Sequence, residues 1–283
     1  MITKKKKKNG FEYLEIKNNR ACASLALQGA HLFHYHCFAD PDALLWLSRA
    51  SLFQSGKAIR GGIPVCWPWF GRHPADPALP QHGFARTALW ELVAEEDSDP
   101  AHTVLVLRLT DSPVSLKIWP YAFELLLTIT IGSSLTLALT TKNLDSRPLT
   151  VTSALHSYFA VSEISRVAVK GLEQTPYFDA LSRSEKVQTG KLTIDREVDR
   201  IFQQVNYPLT LVDQDRTITI DARGSSSAVI WNPWQEKSAA MADMTEDSYT
   251  TMLCVETTNA LADGRSIAPG EEHTVTAMLF GKR

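Results

Sequence analysis

Apolar and polar residues alternate with period two along most of the chain beyond residue 101, and this alternation restricts the possible folds more than any other feature. The runs are short, rich in Thr, Val, Ile and Leu, and bounded by turn residues, as in antiparallel strands with one buried face. They cover residues 103–110, 123–131, 135–142, 149–155, 217–220, 228–231, 252–256 and 273–280. Helical periodicity over ten or more residues is nearly absent. The pattern therefore predicts an all-β antiparallel sandwich.

The connections between these runs fit the same architecture. Residues 131–134 (IGSS) predict a hairpin turn, residues 143–148 (NLDSRP) a longer connection, and residues 223–225 (RGS) a third. A chain of 283 residues can bury about three quarters of its extended surface, enough for one large core. With no internal repeat or low-complexity linker in the sequence, we expect one domain over residues 11–283.

The first ten residues differ from the rest. Five consecutive lysines, Lys4 to Lys8, are followed by Asn9 and Gly10 rather than by the apolar run of a secretory signal. The run could contact anionic lipid or RNA, but a solvated face is the more common use of such a run. We therefore expect residues 1–10 to form a flexible tail.

Charge and cysteine content narrow the partners and the compartment. Lys and Arg number 29 against 31 Asp and Glu, so no basic excess favours nucleic acid as a partner. No apolar stretch approaches the ~18 residues of a membrane-spanning helix, so no membrane partner is expected. Four scattered cysteines lack CxxC spacing, which argues against a structural zinc site. Reduced thiols in a cytoplasmic protein are the expectation.

Residues 56–86 have no period and are dense in Gly, Pro, Trp, His and Arg. A long segment without regular structure is usually functional. It supplies two of the four segments in which chemistry could reside. The four are residues 59–71 (IRGGIPVCWPWFG), 81–86 (QHGFAR), 154–159 (ALHSYF) and 254–259 (CVETTN).

Each ionisable residue in these segments has a structural and a functional interpretation. His156, at the end of a predicted strand, could be a hydrogen-bonded core imidazole. Glu256 lies in an apolar strand, where a carboxylate costs several kcal/mol unless it is paired or kept for function. Arg60 and Arg86 could be surface ion-pair partners, or they could capture a phosphate together.

Three histidines, His31, His34 and His36 (HLFHYH), resemble a metal-binding cluster. On a strand, however, His34 and His36 would share a face and His31 would point to the other. Asp40 is the one acidic residue nearby in the sequence. We therefore expect no metal site here.

Eight short motifs, in order over most of the chain, together resemble the hexose-6-phosphate mutarotase branch of the aldose 1-epimerase family. They are residues 59–64 (IRGGIP), 67–71 (WPWFG), 81–86 (QHGFAR), 119–120 (WP) followed by Phe123, 155–159 (LHSYF), 197–201 (EVDRI), 231–234 (WNPW) and 254–256 (CVE). Single motifs are weakly specific, whereas the ordered set is specific. Residues 257–263 (TTNALAD) lack the Pro-Gly turn of many sugar-only relatives, which favours the phosphate branch.

The resemblance implies a fold and a set of site residues. The fold would be a galactose-mutarotase-like β-supersandwich, with no metal and no cofactor. By position, Glu256 would be the catalytic base and His156 the catalytic acid. The positions that would hold the sugar phosphate are Arg60, Gln81, Arg86 and Asp199, while His82 would lie near the sugar ring. Asp179, in residues 177–179 (YFD), is a second acidic candidate for the role of Asp199.

The implied activity is interconversion of the α and β anomers of a hexose 6-phosphate, most simply glucose 6-phosphate, by an isomerase that is a monomer or weak oligomer. We expect the acid and the base on opposite sides of the pyranose. Ordinary pKa values of about 4.3 and 6.5 would leave the glutamate ready as base near pH 7, while the histidine would need help to stay protonated. A non-catalytic sugar-phosphate-binding module and a mutarotase of unphosphorylated aldoses are the alternatives.

Overall fold

A computed structural model describes all 283 residues of the chain. Strands dominate it: β1 (Ile2–Lys6), β2 (Glu12–Lys17), β3 (Ala21–Ala26), β4 (His31–Cys37), β5 (Val65–Cys66), β6 (Glu91–Glu96), β7 (Thr103–Thr110), β8 (Phe123–Ile131), β9 (Leu135–Asn143), β10 (Leu149–Val151), β11 (Ser153–Leu155), β12 (Tyr158–Ala160), β13 (Val167–Lys170), β14 (Pro176–Asp179), β15 (Ser184–Val187), β16 (Leu192–Thr193), β17 (Val198–Gln203), β18 (Leu209–Asp213), β19 (Arg216–Arg223), β20 (Ser227–Asn232), β21 (Met252–Asn259), β22 (Arg265–Ile267) and β23 (Glu272–Lys282). The α-helices are α1 (Ser115–Ile118) and α2 (Trp234–Ala240), and short 3₁₀ helices cover Ile164–Arg166, Ser248–Thr251 and Leu261–Asp263. No helix is both long enough and apolar enough to cross a membrane.

Two large antiparallel sheets form the body of the protein. The nine-stranded sheet has the order β16-β13-β18-β19-β23-β9-β8-β7-β6, and the eight-stranded sheet has the order β15-β14-β17-β20-β21-β11-β5 with β12 also paired to β21. A four-stranded sheet, β1-β2-β3-β4, and the pair β10-β22 complete the fold. The predicted all-β antiparallel architecture is confirmed.

The buried side of the nine-stranded sheet follows directly from the sequence alternation. Along β8, every second residue is buried and the residues between them are partly exposed. Leu125, Leu127 and Ile129 are fully buried, as are Leu135 and Leu137 across the hairpin on β9. The predicted bounds of β7 and β8 match the structure, and residues 131–134 form the predicted hairpin connection.

Two predicted features of this region differ in the structure. The run 149–155 breaks at Thr152, whose N–H donates to the Pro68 carbonyl at 3.0 Å and whose hydroxyl accepts the Phe70 N–H at 2.8 Å. As a result β10 pairs with β22 while β11 joins the eight-stranded sheet. Residues 223–225 connect β19 to β20, which lie in different sheets, so they form a crossover rather than a hairpin.

The lysine-rich N-terminus, expected to be a flexible tail, is placed in an edge strand. In the antiparallel β1–β2 register, Lys6 stands opposite Glu12 and Lys5 opposite Glu15. Their ammonium–carboxylate distances are 2.8 and 3.7 Å. Opposite charges across a strand pair favour pairing, and exposed lysines protect a sheet edge from joining another chain.

The eight-stranded sheet brings the predicted site residues together. Asp199 lies on β17, Glu256 on β21, and His156 directly after β11. Leu155 pairs with Thr257, so the next residue, His156, comes to lie beside Glu256. Strand register thus unites residues that are a hundred positions apart in the sequence.

A buried ion pair connects the segment that follows β4 to the nine-stranded sheet. Arg216, the first residue of β19, donates from Nε and Nη2 to Asp40 Oδ2 at 3.0 and 2.8 Å. Both side chains are about 95% buried, with exposures of 4% and 5%. Removing one partner of such a pair leaves an uncompensated charge inside the protein.

We predict that Arg216→Met lowers the free energy of unfolding by about 3–5 kcal/mol, because the Asp40 carboxylate is left buried and unpaired. The matched control is Arg283→Met, since Arg283 pairs with Asp42 at 2.9 Å but both are about half exposed, at 46% and 51%. An exposed pair of this kind contributes about 1 kcal/mol or less. Urea unfolding of the two variants checks this, and equal losses would contradict it.

Candidate active site

A cavity of about 320 Å³ on the eight-stranded sheet collects side chains from all four segments selected in the sequence. All seven predicted site residues line it: Arg60, Gln81, His82, Arg86, His156, Asp199 and Glu256. Four wider cavities elsewhere on the surface contain none of the seven. The structure therefore assembles the predicted residues in one place.

Glu256 and His156 form the centre of the cavity. Glu256 is 1% exposed, and its Oε1 lies 3.3 Å from Nε2 of His156, whose side chain is 9% exposed. The other polar atoms of the two groups, Oε2 of Glu256 and Nδ1 of His156, have no hydrogen-bond partner in the protein. Buried polar atoms of this kind are normally satisfied, so two unsatisfied ones on residues that line a cavity point to a functional role.

The proton balance of this pair differs from the one expected from ordinary pKa values. Burial raises the pKa of Glu256 well above its usual range, and the nearby Asp199 adds to the rise. Burial lowers the pKa of His156, and His82, Arg60 and Arg86 act in the same direction. The 3.3 Å contact favours the charged pair, but burial of both groups dominates, because no other donor contacts the carboxylate. The free protein thus favours a neutral carboxyl beside a neutral imidazole.

The placement of the pair also corrects an expectation. We expected the acid and the base on opposite sides of the substrate, whereas they lie side by side on one sheet face. The reason is the β11–β21 register, which sets Leu155 against Thr257 and so brings His156 next to Glu256. A substrate that exchanges protons with both Glu256 and His156 must therefore have its two reacting atoms close together.

His82 is held in one tautomer. Its Nδ1 accepts the backbone N–H of Gly71 at 3.2 Å, which leaves Nε2 as the ring atom that carries hydrogen. Burial, with the charges of Arg86 and Arg60, lowers the pKa of His82 to about 3. His82 therefore contributes a neutral N–H donor to the cavity lining.

The two arginines of the cavity are not equivalent. Arg60 donates from Nε to Asp243 Oδ2 at 3.0 Å and from Nη1 to the Tyr158 hydroxyl at 2.9 Å, and its Nη2 lies 3.0 Å from the same Asp243 oxygen in an ion pair. Arg86 donates from Nη2 to the Gln81 backbone carbonyl at 2.6 Å and makes no ion pair. Arg86 is thus the cavity arginine whose charge is not already balanced by a carboxylate.

The acidic candidates are separated by the structure. Asp199 lines the cavity and makes no hydrogen bond or ion pair through its carboxylate, and burial raises its pKa. Asp179 lies outside the lining, accepts the backbone N–H groups of Leu181 and Ser182, and pairs with Lys186 at 2.8 Å. Asp179 is therefore committed to its own turn, and Asp199 is the carboxylate available at the cavity.

Three residues of the site were not predicted from the sequence. Lys237, on α2, lines the cavity and pairs with Glu197 at 2.7 Å. Tyr158 and Asp243 hold Arg60 from behind. Tyr158 lies inside the motif 155–159, and Glu197, the partner of Lys237, inside the motif 197–201, so the sequence held a signal for both. Nothing in the sequence distinguishes Asp243.

The paired glycines after Arg60 have a structural explanation. Gly61 and Gly62 have φ values of +111° and +63°. A side chain on Gly62 would collide with the backbone of Leu32 and Phe33 on β4. The glycines therefore let this segment cross close to the four-stranded sheet, and His31 donates from Nε2 to the Gly61 carbonyl at 2.7 Å.

This contact also removes His31 from the suspected metal cluster. His36 donates to the Asp40 carbonyl at 2.7 Å, and His34 lies 3.9 Å from the Cys22 sulfur, so the three imidazoles do not converge. His156, Cys254 and Glu256 do have ligand atoms within 4.8 Å of one another. Burial raises the pKa of the Cys254 thiol, which opposes the thiolate that a metal requires. The absence of a metal from the chemistry remains a prediction.

Comparison with known proteins supplies relatives for this fold and site. The sequence model of the family described as aldose 1-epimerase matches residues 12–279. A protein of Cenchrus ciliaris named as a candidate glucose-6-phosphate 1-epimerase is 36% identical, over 93% of this chain and 83% of its own. An Escherichia coli protein of the same name is 34% identical, over 100% of this chain and 95% of its own.

Solved structures agree with the sequence relatives. The crystal structure of a candidate mutarotase from Salmonella typhimurium superimposes with a TM-score of 0.92 at 31% identity, over 100% of this chain and 94% of the other. A galactose 1-epimerase from Lactobacillus acidophilus superimposes with a TM-score of 0.76 at 14% identity, over 100% and 98% of the two chains. At 14% identity, the second likeness shows a shared fold only. The predicted galactose-mutarotase-like sandwich is confirmed.

We predict that Asp199→Asn lowers the pKa of Glu256. A neighbouring negative charge disfavours ionisation of a carboxyl, and Asp199 is one of the causes that raise the pKa of Glu256. The titration of the labelled Glu256 carboxyl carbon, followed by NMR, measures the change. Asp179→Asn serves as the matched control, because its carboxylate is paired with Lys186. Equal shifts in the two variants, or none in either, would contradict the prediction.

Proposed function

Because the chain belongs to the aldose 1-epimerase family, we propose that it is an isomerase that interconverts the α and β anomers of a hexose 6-phosphate, with glucose 6-phosphate as the first substrate to test. The observation that carries the choice of a phosphorylated sugar is Arg86. Its guanidinium, free of any carboxylate, lines the same cavity as the Glu256–His156 pair. The names of the relatives support the same substrate.

The charges around the cavity give the substrate an orientation. Arg60 is balanced by Asp243 and Lys237 by Glu197. Asp199 and Arg86 are left as the unpaired charges of opposite sign in the lining, beside the coupled Glu256–His156 pair. A guanidinium suits a phosphate, while a carboxylate acceptor suits sugar hydroxyl donors. We therefore place the phosphate at Arg86 and hydroxyl groups of the ring at Asp199.

The reaction needs two proton transfers around one carbon atom. Glu256 takes the proton of the C1 hydroxyl while His156 gives a proton to the ring oxygen, and the bond between C1 and that oxygen breaks. The resulting aldehyde rotates about C1–C2, and the ring oxygen attacks the other face of the carbonyl. As the ring recloses, Glu256 gives its proton to the former carbonyl oxygen and His156 takes one back from the hydroxyl that becomes the ring oxygen. Both reacting oxygens are attached to C1, so a base and an acid lying 3.3 Å apart suit this chemistry.

Binding of the phosphate helps to set the required protonation. The reaction starts from a carboxylate and an imidazolium, whereas burial favours the neutral pair in the free protein. Arg86 is one of the positive charges that lower the pKa of His156. A phosphate with about −1.5 to −2 charges placed on Arg86 offsets that effect and favours the imidazolium. The substrate's phosphate would thereby assist the acid as well as anchor the sugar.

Neither alternative is favoured by an observation in the cavity. A non-catalytic binding module would not need a carboxylate that is 1% exposed beside an imidazole, which is expensive to bury. A mutarotase of unphosphorylated aldoses would leave Arg86 without a partner.

The remaining functional expectations concern compartment and assembly. All four cysteines are free, two of them buried, which fits a reducing cytoplasm. We propose that the protein acts there on a small sugar phosphate as a monomer or weak oligomer, without a metal, cofactor, nucleic acid or membrane partner.

Magnetisation exchange between the anomers of glucose 6-phosphate, measured by NMR with and without the protein, tests the proposal. We predict that Arg86→Ala raises KM for glucose 6-phosphate by about 10-fold or more, since a charge-assisted contact to phosphate is lost. Turnover of free glucose should stay nearly unchanged. Arg72→Ala, which alters an exposed arginine of the same segment, is the control. An equal loss on both sugars would show that Arg86 does not bind the phosphate.

We predict that Glu256→Gln and His156→Asn each lower kcat by about 10²-fold or more, because each removes one of the two proton-transfer groups while nearly preserving its shape. The same exchange experiment gives the rates, and circular dichroism verifies that the variants remain folded. A variant that stays folded and keeps near-full activity would exclude its residue from the chemistry.

A further inference from the structure

Tyr158 contacts both halves of the proposed machinery without lining the cavity. Its hydroxyl accepts a hydrogen bond from Nη1 of Arg60 at 2.9 Å. Its ring stacks on the imidazole of His156, with ring centroids 4.8 Å apart and planes 7° from parallel. The side chain is buried, so it acts on a substrate only through these two neighbours.

The Tyr158 ring is itself immobilised. Trp46 stacks on it at 5.9 Å and 19°, and Trp231 meets it edge-on at 6.0 Å and 79°. The backbone is fixed as well, because the Tyr158 N–H donates to the Gly62 carbonyl and its own carbonyl accepts the Trp46 N–H, each at 2.9 Å. Trp46, Arg60 and Gly62 therefore all bond to one residue of β12, Tyr158.

Both neighbours of Tyr158 need an orienting contact. The terminal torsion of a histidine side chain is broad, and the contact of His156 with Glu256 at 3.3 Å depends on the plane of its ring. Arg60 has five N–H donors, of which Nε–H bonds to Asp243 and one Nη1–H bonds to Tyr158, while Nη2 lies 3.0 Å from Asp243 Oδ2. Together these contacts fix the plane of the guanidinium, and with it the directions of its remaining N–H groups.

We propose that Tyr158 is a positioning residue that orients both His156 and Arg60, and so couples the substrate-binding arginine to the catalytic acid. The inference rests on the proposed function and extends it: Arg60, through the N–H groups that Asp243 and Tyr158 do not use, joins Arg86 in binding the phosphate. The hydroxyl of Tyr158 orients Arg60, and the face of its ring orients His156. One substitution can therefore remove the hydroxyl alone, and another can remove the ring.

The experiment uses two variants of the full chain and two sugars. Tyr158→Phe keeps the stacked ring and deletes the hydroxyl, so we expect KM for glucose 6-phosphate to rise about 10-fold, with kcat and the turnover of free glucose within about twofold. Tyr158→Leu deletes the ring, so we expect kcat to fall about 10²-fold on both sugars, as for a displaced catalytic group. Tyr35→Phe is the matched control. Tyr35, on β4 of the four-stranded sheet, is equally buried, and its hydroxyl donates to the Gly132 carbonyl in the β8–β9 hairpin.

A second measurement reports the position of the histidine independently of activity. The NMR shifts of the His156 ring protons depend on the stacked tyrosine, so they should persist in Tyr158→Phe and move in Tyr158→Leu. Unchanged shifts in Tyr158→Leu, or an equal effect of Tyr158→Phe on both sugars, would overturn the inference. Should the Leu variant fail to fold, the Phe variant decides by its KM split alone. A wild-type protein that fails to accelerate glucose 6-phosphate anomerisation would instead overturn the proposed function.

Discussion

The side-chain carboxyl group of Glu256 is buried in β21 of the eight-stranded sheet, beside apolar residues. Its polar contact there is with Nε2 of His156 at 3.3 Å. A buried carboxyl without a strong partner is kept by shifting its pKa upward rather than by ionising. The rest of the site can be understood from this constraint. The pair shares too few hydrogen bonds to satisfy itself, so Oε2 of Glu256 and Nδ1 of His156 are left buried without a partner, and the charged residues that shift its pKa values line the same cavity.

The arginine and lysine side chains that line the cavity are paired with carboxylates except for Arg86, and Asp199 is the lining carboxylate without an ion pair. Asp243 balances Arg60 and Glu197 balances Lys237, whereas Arg86 and Asp199 remain unpaired. The cavity therefore contains one positive and one negative group without a partner, and a neutral sugar would not require the positive one. This arrangement also links binding to catalysis, because Arg86 depresses the pKa of His156 and Asp199 raises that of Glu256. An anionic substrate that neutralises Arg86 therefore changes the proton balance of the pair it is bound against.

Period-two alternation was sufficient to predict β7 and β8, because each buries one face along its whole length. The ordered motifs were sufficient to select seven residues that all line the cavity, though not Lys237, which lines it too. Sequence could not show what long-range packing adds. Asp243 holds Arg60 across 183 positions, and the break at Thr152 arises from contacts with residues 68 and 70. Likewise, the lysines of β1 pair with glutamates that local composition does not connect to them. Burial raises the pKa of Glu256 and lowers that of His156, against the ordinary values assumed from the sequence, and burial is a property of the fold.

We propose that the sugar lies with C1 at the Glu256–His156 pair and its phosphate at Arg86. A crystal structure of the Glu256→Gln protein with glucose 6-phosphate would show this placement, since the slowed variant should retain bound sugar. We expect phosphate oxygens within hydrogen-bond distance of the Arg86 guanidinium, with the C1 hydroxyl beside residue 256 and the ring oxygen beside His156. A sugar bound in the reverse direction, with its phosphate near Lys237 and C1 away from His156, would contradict it.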